Sequence, residues 1–97
     1  MREFWKNTAV RQRVRFVNEQ GQLFDPDVVR FRAKRPDGTE LVESYPGSSQ
    51  IEREAVGTYS LEHLLDQVGT WYLRVETDGP GKVAVEEGIK VRSLAWA

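Results

Sequence analysis

Residues 57–75 read Gly-Thr-Tyr-Ser-Leu-Glu-His-Leu-Leu-Asp-Gln-Val-Gly-Thr-Trp-Tyr-Leu-Arg-Val, and no other stretch constrains the fold as strongly. Tyr59 and Leu61 alternate with polar neighbours, and so do Trp71, Leu73 and Val75. A period of two puts alternate side chains on one face, which marks strands with one buried side. Asp66-Gln67-Val68-Gly69 between them supplies turn chemistry. The expectation is a pair of strands delivering a Tyr, a Trp and three aliphatics to one core, with the other strands added around that pair. Residues 61–66 also admit a helical reading, but they are too short for a helix stable alone. Thr58 and Tyr59 before them favour strand, so this segment is expected to be a strand end and a corner, with His63 at the surface or strand end.

The rest of the chain repeats the pattern. In residues 8–17, Val10, Val14 and Phe16 share one face and Arg11, Arg13 and Arg15 the other. In 28–35, Val29, Phe31 and Ala33 face in while Arg30, Arg32 and Lys34 face out. Pro36-Asp37-Gly38-Thr39 is the clearest turn, because Pro presets one dihedral and Gly accepts positive φ. Weaker strands are expected over 40–45 and 50–53, the second presenting Ile51. The last strand starts near Val83 and runs to Arg92, with Gly88 as a bulge and Ile89 and Val91 on one face. Before the first strand, Phe4 and Trp5 are adjacent aromatics and so point to opposite faces, leaving one exposed. Seven or so short strands with turn signals about every ten residues indicate a β-sandwich over a small barrel. The division is an N-terminal extension (1–7), the sandwich (8–92) and a C-terminal tail (93–97). Core positions are Val14, Phe16, Val29, Phe31, Tyr59, Leu61, Trp71, Leu73, Val75, Ile89 and Val91.

Ninety-seven residues fit one domain. The absence of cysteine excludes disulfides and thiolate metal sites. No apolar run approaches the roughly 20 residues of a membrane span, and residues 1–7 lack the apolar core of a signal peptide, so synthesis in the cytoplasm is expected. The net charge of −1 is unevenly spread. Residues 1–35 carry nine Lys/Arg and four Asp/Glu, whereas 36–97 carry five and eleven. Either the two halves interleave and neutralise each other, or the molecule is dipolar and stacks basic end on acidic end.

The order Asp25-Pro26-Asp27-Val28-Val29, Arg35-Pro36-Asp37-Gly38-Thr39, Tyr45, Ile51-Glu52-Arg53, Gly57-Thr58-Tyr59, Asp66-Gln67-Val68-Gly69-Thr70-Trp71-Tyr72-Leu73-Arg74 and Glu86-Glu87-Gly88 resembles a known family. It is similar to small immunoglobulin-like proteins encoded among the head and tail genes of tailed bacteriophages and prophages, and to those of gene transfer agents. The resemblance spans residues 10–92. It implies an immunoglobulin-like β-sandwich of about seven strands and a non-enzymatic role as an accessory virion component in head, neck or tail. Partners would be other virion structural proteins, further copies of the chain among them, with neither nucleic acid nor membrane. The residues expected to make contact are Phe4, Trp5, Leu94 and Trp96 at the two ends, and Arg11, Arg13, Arg15, Arg30 and Arg32 on the strands. If both arginine strands share a sheet, six cations including Lys34 line one surface. Deleting 1–7 or 93–97 is expected to leave the sandwich folded.

Candidate chemistry is sparse. His63 is the only histidine, which rules out a multi-histidine metal site within one chain. Ser60 and Asp66 near it match no catalytic spacing. Asp25-Pro26-Asp27 could offer oxygen ligands to calcium, though such loops more often cap turns. Glu86 and Glu87 are strand neighbours and so point apart. Gly79-Pro80-Gly81-Lys82 lacks phosphate-loop spacing and reads as a hairpin tip. No catalytic residue, metal or cofactor is expected. The competing reading is a carbohydrate- or ligand-binding immunoglobulin-like module using Tyr45 or Tyr72 as an exposed platform.

Overall fold

The computed structural model describes residues 1–79 and 83–93. It is all-β, with eight strands in these residues: β1 (Arg2–Trp5), β2 (Thr8–Arg15), β3 (Val28–Lys34), β4 (Glu40–Tyr45), β5 (Ile51–Ala55), β6 (Thr58–Leu65), β7 (Gly69–Asp78) and β8 (Ala84–Arg92). They form two sheets, a five-stranded one in the order β1-β8-β7-β3-β4 and a three-stranded one in the order β2-β6-β5. The sheets enclose the core as a sandwich.

Alternation decides which side of each strand is buried. Val29, Phe31 and Ala33 of β3 are buried between the exposed or half-exposed Arg30, Arg32 and Lys34. β7 buries Trp71, Leu73 and Val75, and β8 buries Ile89 and Val91. One cluster joins Phe16, Val29, Phe31, Ile51, Tyr59, Leu61 and Val75; the other joins Ala33, Leu65, Trp71, Leu73, Ile89 and Val91. Of the expected core only Val14 is partly buried, packed against the first cluster. Ala33, Ile51 and Leu65 complete the set.

Several expectations need correction. β6 and β7 are not paired with each other. β6 lies between β2 and β5, β7 lies between β3 and β8, and the turn at 66–68 crosses from one sheet to the other. Residues 1–7 are more than an extension, because β1 pairs in parallel with β8 from Arg2↔Ile89 to Trp5↔Arg92. Residues 61–65 continue β6 without a corner. Gly88 is no bulge: it sits in unbroken register opposite Tyr72, and the register shift falls between Arg53 and Ala55 in β5. His63 is not a surface residue but is 4% exposed. It shares the inward face of β6 with Tyr59, Leu61 and Leu65, and its Nε2 lies 2.8 Å from Gln12 Oε1. Of the hairpin tip expected at 79–82, residues 80–82 lie outside the described residues.

Candidate interaction surfaces

β1 sorts the two N-terminal aromatics onto opposite sides. Phe4 packs against the cluster containing Val91 and Ile89, and the Arg2 guanidinium lies 5.5 Å from its ring centroid. Trp5 turns outward and is 52% exposed. It borders a shallow pocket of about 160 Å³ with Glu3, Phe4 and Arg92. Arg92 is fixed there by a 3.1 Å contact from its Nε to Glu3. The aromatic is therefore presented on a paired strand, not on a loose tail. Leu94 and Trp96, expected to join it, lie outside the described residues.

The arginines do not form one surface. β2 belongs to the three-stranded sheet and β3 to the five-stranded one, so their outward side chains cover opposite faces of the sandwich. On the first face Arg11 donates to Glu52 at 3.1 Å and to the buried Ser60 hydroxyl at 2.9 Å. Arg13 donates to both oxygens of Glu54 at 2.8 and 3.0 Å. These hydrogen bonds hold the Glu54 carboxyl below its ordinary value, with further help from Ser60. Arg15 makes no ion pair among the described residues. On the other face Arg30 spans Glu76 at 2.9 Å and Asp78 at 2.7 Å. Arg32 reaches Glu40 and Glu76, each at 3.5 Å. Arg74 donates to Glu76 at 2.9 Å, and this bond, then that from Arg30, depresses the Glu76 carboxyl. Cross-strand pairing of this kind neutralises a sheet face, and exposed pairs each contribute little to stability.

Tyr72 is the one large aromatic on the outward face of β7, and it is 46% exposed. It lines an open groove of about 400 Å³ with Arg32, Lys34, Arg74, Glu40 and Glu86. Tyr45 is not a platform, because its ring packs 5.3 Å from that of Tyr59 in the core. Asp25 is committed to structure. It accepts from Arg53, from the Gly57 backbone N–H at 2.8 Å and from the Tyr59 hydroxyl at 2.8 Å. Its carboxyl is consequently held far below the ordinary range, by Arg53 first and then by Gly57 and Tyr59. Among the described residues no group of three or more His, Asp or Glu side chains is placed to hold a metal ion. Glu86 and Glu87 do point apart, toward Arg74 and Arg2 respectively.

Sequence reasoning missed the role of Asp25 as the acceptor that ties three segments together, and a loop aspartate gives no local sign of it. It also missed that β2 and β3 lie in different sheets, since pairing between distant strands is not written in either strand. No protein-family model, curated protein or solved structure matches the chain.

Proposed function

We propose that this chain is a non-enzymatic structural component of a phage or phage-like particle, an immunoglobulin-like sandwich that acts through protein–protein contacts in head, neck or tail. It is made in the bacterial cytoplasm and resides in the particle. The observation that carries the reading is Trp5, a half-exposed aromatic held on a hydrogen-bonded strand beside a pocket of about 160 Å³. Rigid, partly desolvated tryptophans are the side chains that most often anchor interfaces. The immunoglobulin-like part of the reading is supported by the strand order, in which β1 joins β8 in parallel while β2-β6-β5 pack beneath β8-β7-β3-β4. The resemblance of residues 10–92 to small virion proteins supplies the particle.

The test is Trp5→Ala in cells producing the particle, with copies per particle counted by quantitative mass spectrometry. Deletion of 1–7 is unsuitable, because it would also remove β1 and the packing of Phe4. Loss of the variant from purified particles, with an unchanged folded monomer, supports the reading. Normal incorporation, or absence of the wild-type chain from particles, overturns it. One observation favours a second reading, a glycan-binding module: Tyr72 lies open in a groove bordered by Arg32, Lys34, Arg74, Glu40 and Glu86. Saccharide binding lost in Tyr72→Ala and kept in Trp5→Ala would select it.

A further inference from the structure

The sandwich is open along one side. β2 pairs with β6 alone, so its other edge has no strand partner among the described residues. Facing it across the opening is β8, whose residues Ala84–Glu87 continue past the start of β1 and are likewise unpaired on that side. Between the two edges is a cavity of about 270 Å³ floored by Val14, Leu73, Val75 and Val85 and rimmed by Arg13 and Glu87. Val85 lies on the same face of β8 as Ile89 and Val91, yet it is 57% exposed where they are at most 1%. A side chain on the core-facing side of a strand and still open to water marks a place where a covering element is missing.

The edge of β2 has a definite hydrogen-bonding phase. Phe16 N–H donates to Gly57 C=O at 2.8 Å, continuing the register in which Arg15 faces Thr58. In an antiparallel ladder such bonded residues alternate with residues whose N–H and C=O point away. Ala9, Arg11, Arg13 and Arg15 therefore turn their backbone groups to the open side. The edge is eight residues long and its register with β6 is unbroken, whereas β5 at the other border of the same sheet carries a register shift. Long, regular, uncovered edges are templates for strand addition. On β8 only Ala84 and Glu86 play the same part, because Thr77 N–H donates to Val83 C=O and sets the phase, and from Gly88 onward the outward groups meet β1.

Charge narrows the occupant. A strand joining β2 would place its outward side chains next to the row Arg11, Arg13 and Arg15. Arg11 and Arg13 already meet Glu52 and Glu54 on the far side, and Arg15 meets no carboxylate among the described residues. Like charges placed opposite one another repel while unlike ones attract. Two copies pairing through this same edge would set arginine against arginine. The inward side chains would fall over Val14 and Val85 and seal the cavity. We propose that the free edge of β2 is a docking strand for an extended segment of a partner protein that alternates acidic and apolar residues. This rests on the reading of the chain as a contact-making module, but its test does not require the particle.

The experiment uses the whole 97-residue chain, isotope-labelled. The probe is a blocked peptide alternating glutamate and valine over about nine residues, enough to span a strand of this length. Its control carries lysine at every glutamate. Amide hydrogen exchange and chemical shifts are followed residue by residue. The expected result is saturable binding that slows exchange about tenfold at Ala9, Arg11, Arg13 and Arg15, with the lysine peptide about tenfold weaker. Arg13→Pro removes an amide that points to the open edge and not to β6, so it blocks addition on an edge position where proline is tolerated. Arg15→Glu, which breaks no described ion pair, keeps the proposal testable if the proline variant unfolds: it weakens the glutamate peptide and strengthens the lysine one. Absence of binding, indifference to probe charge, or protection confined to Ala84 and Glu86 would each overturn the proposal. Failure here leaves the Trp5 test of particle incorporation standing, and failure there leaves this one standing.

Discussion

Tyr59 donates its hydroxyl to Asp25 across 2.8 Å, and the same carboxylate receives the backbone N–H of Gly57 and the guanidinium of Arg53. One loop carboxylate thus satisfies a core phenol, a turn amide and a β5 arginine. Tyr59→Phe removes one neutral-to-charged hydrogen bond while keeping the ring that packs on Phe16 and Tyr45. The expected loss is about 1.5–3 kcal/mol in urea unfolding, the range for a hydrogen bond to a charged group. Burial, then the neighbouring Asp25 carboxylate, pushes the Tyr59 phenol up to about 12. A raised folded-state value means that the folded chain holds its proton where the unfolded chain releases it. Stability from this group is complete below pH 10 and drains away as pH rises from 10 through about 12. Tyr59→Phe should flatten that alkaline limb. On the acid side Asp25 acts oppositely. Its depressed carboxyl contributes above the ordinary carboxylate range, and that contribution is lost as pH falls below it. Asp25→Asn should lower the unfolding midpoint at pH 7 and leave less to lose on acidification.

Burial, and secondarily the charge of Arg35, lowers the pKa of His63, so the imidazole is neutral beside Gln12 inside the sandwich. The unfolded chain takes up a proton at 6.5 while the folded chain resists it. Stability from this source is present above the unfolded value and is lost as pH falls below it. Thermal unfolding is expected to drop between pH 7 and pH 5, and His63→Gln should remove that slope while keeping a side chain able to bond Gln12. An unchanged slope in the variant would show that the imidazole is not the group responsible.

Gly57 and Gly88 should respond very differently to the same methyl group. Gly57 has φ of 67°, and a Cβ there would lie 2.8 Å from the Phe24 carbonyl oxygen and 2.9 Å from that of Phe16. Backbone on both sides cannot yield cheaply, so Gly57→Ala is expected to cost more than about 1 kcal/mol. At Gly88 a Cβ would meet the Met1 methyl at 3.3 Å and the Tyr72 ring edge at 3.4 Å. Both neighbours are side chains on the outer face, and Gly88→Ala should stay within about 0.5 kcal/mol of wild type. Chemical denaturation of the pair measures the contrast.

The alternation of β2, β3, β7 and β8 made the buried face of each strand legible from composition at every second position, because burial of one sheet face is a local property. Partnership between strands was not legible in the same way. Nothing within 8–17 or 28–35 tells that their arginines will end on opposite sides of a sandwich, since that is fixed by which distant strand each meets. His63 was legible and was misread. It follows Tyr59 and Leu61 at the same period, and its polarity outweighed its position in the pattern. β1 was hidden because Arg-Glu-Phe-Trp is short and its pairing with β8 joins the two ends of the chain. Of the expected contact residues, Trp5 is the exposed one of the aromatic pair, Phe4 packs partly buried against the core, and the five arginines are divided between two faces.

Trp5 and Trp71 share a residue type and have opposite roles, which gives a direct optical test. Trp71 is 2% exposed, and its indole N–H donates to the Gln67 carbonyl at 2.9 Å. Arg35 lies 6.0 Å from its ring centroid. Truncation to alanine removes the largest side chain of its cluster and should cost about 3–5 kcal/mol. Trp5→Ala removes a ring that is half in water and should change stability by about 0.5 kcal/mol or less. In a Trp96→Phe background, acrylamide should quench the Trp5 emission readily and leave that of Trp71 nearly untouched. Binding of a partner at the Trp5 corner should then protect the accessible component alone, with a blue shift as the indole leaves water. Equal quenching of the two indoles in the free chain would contradict the arrangement in which β1 is paired and Trp5 faces outward from it.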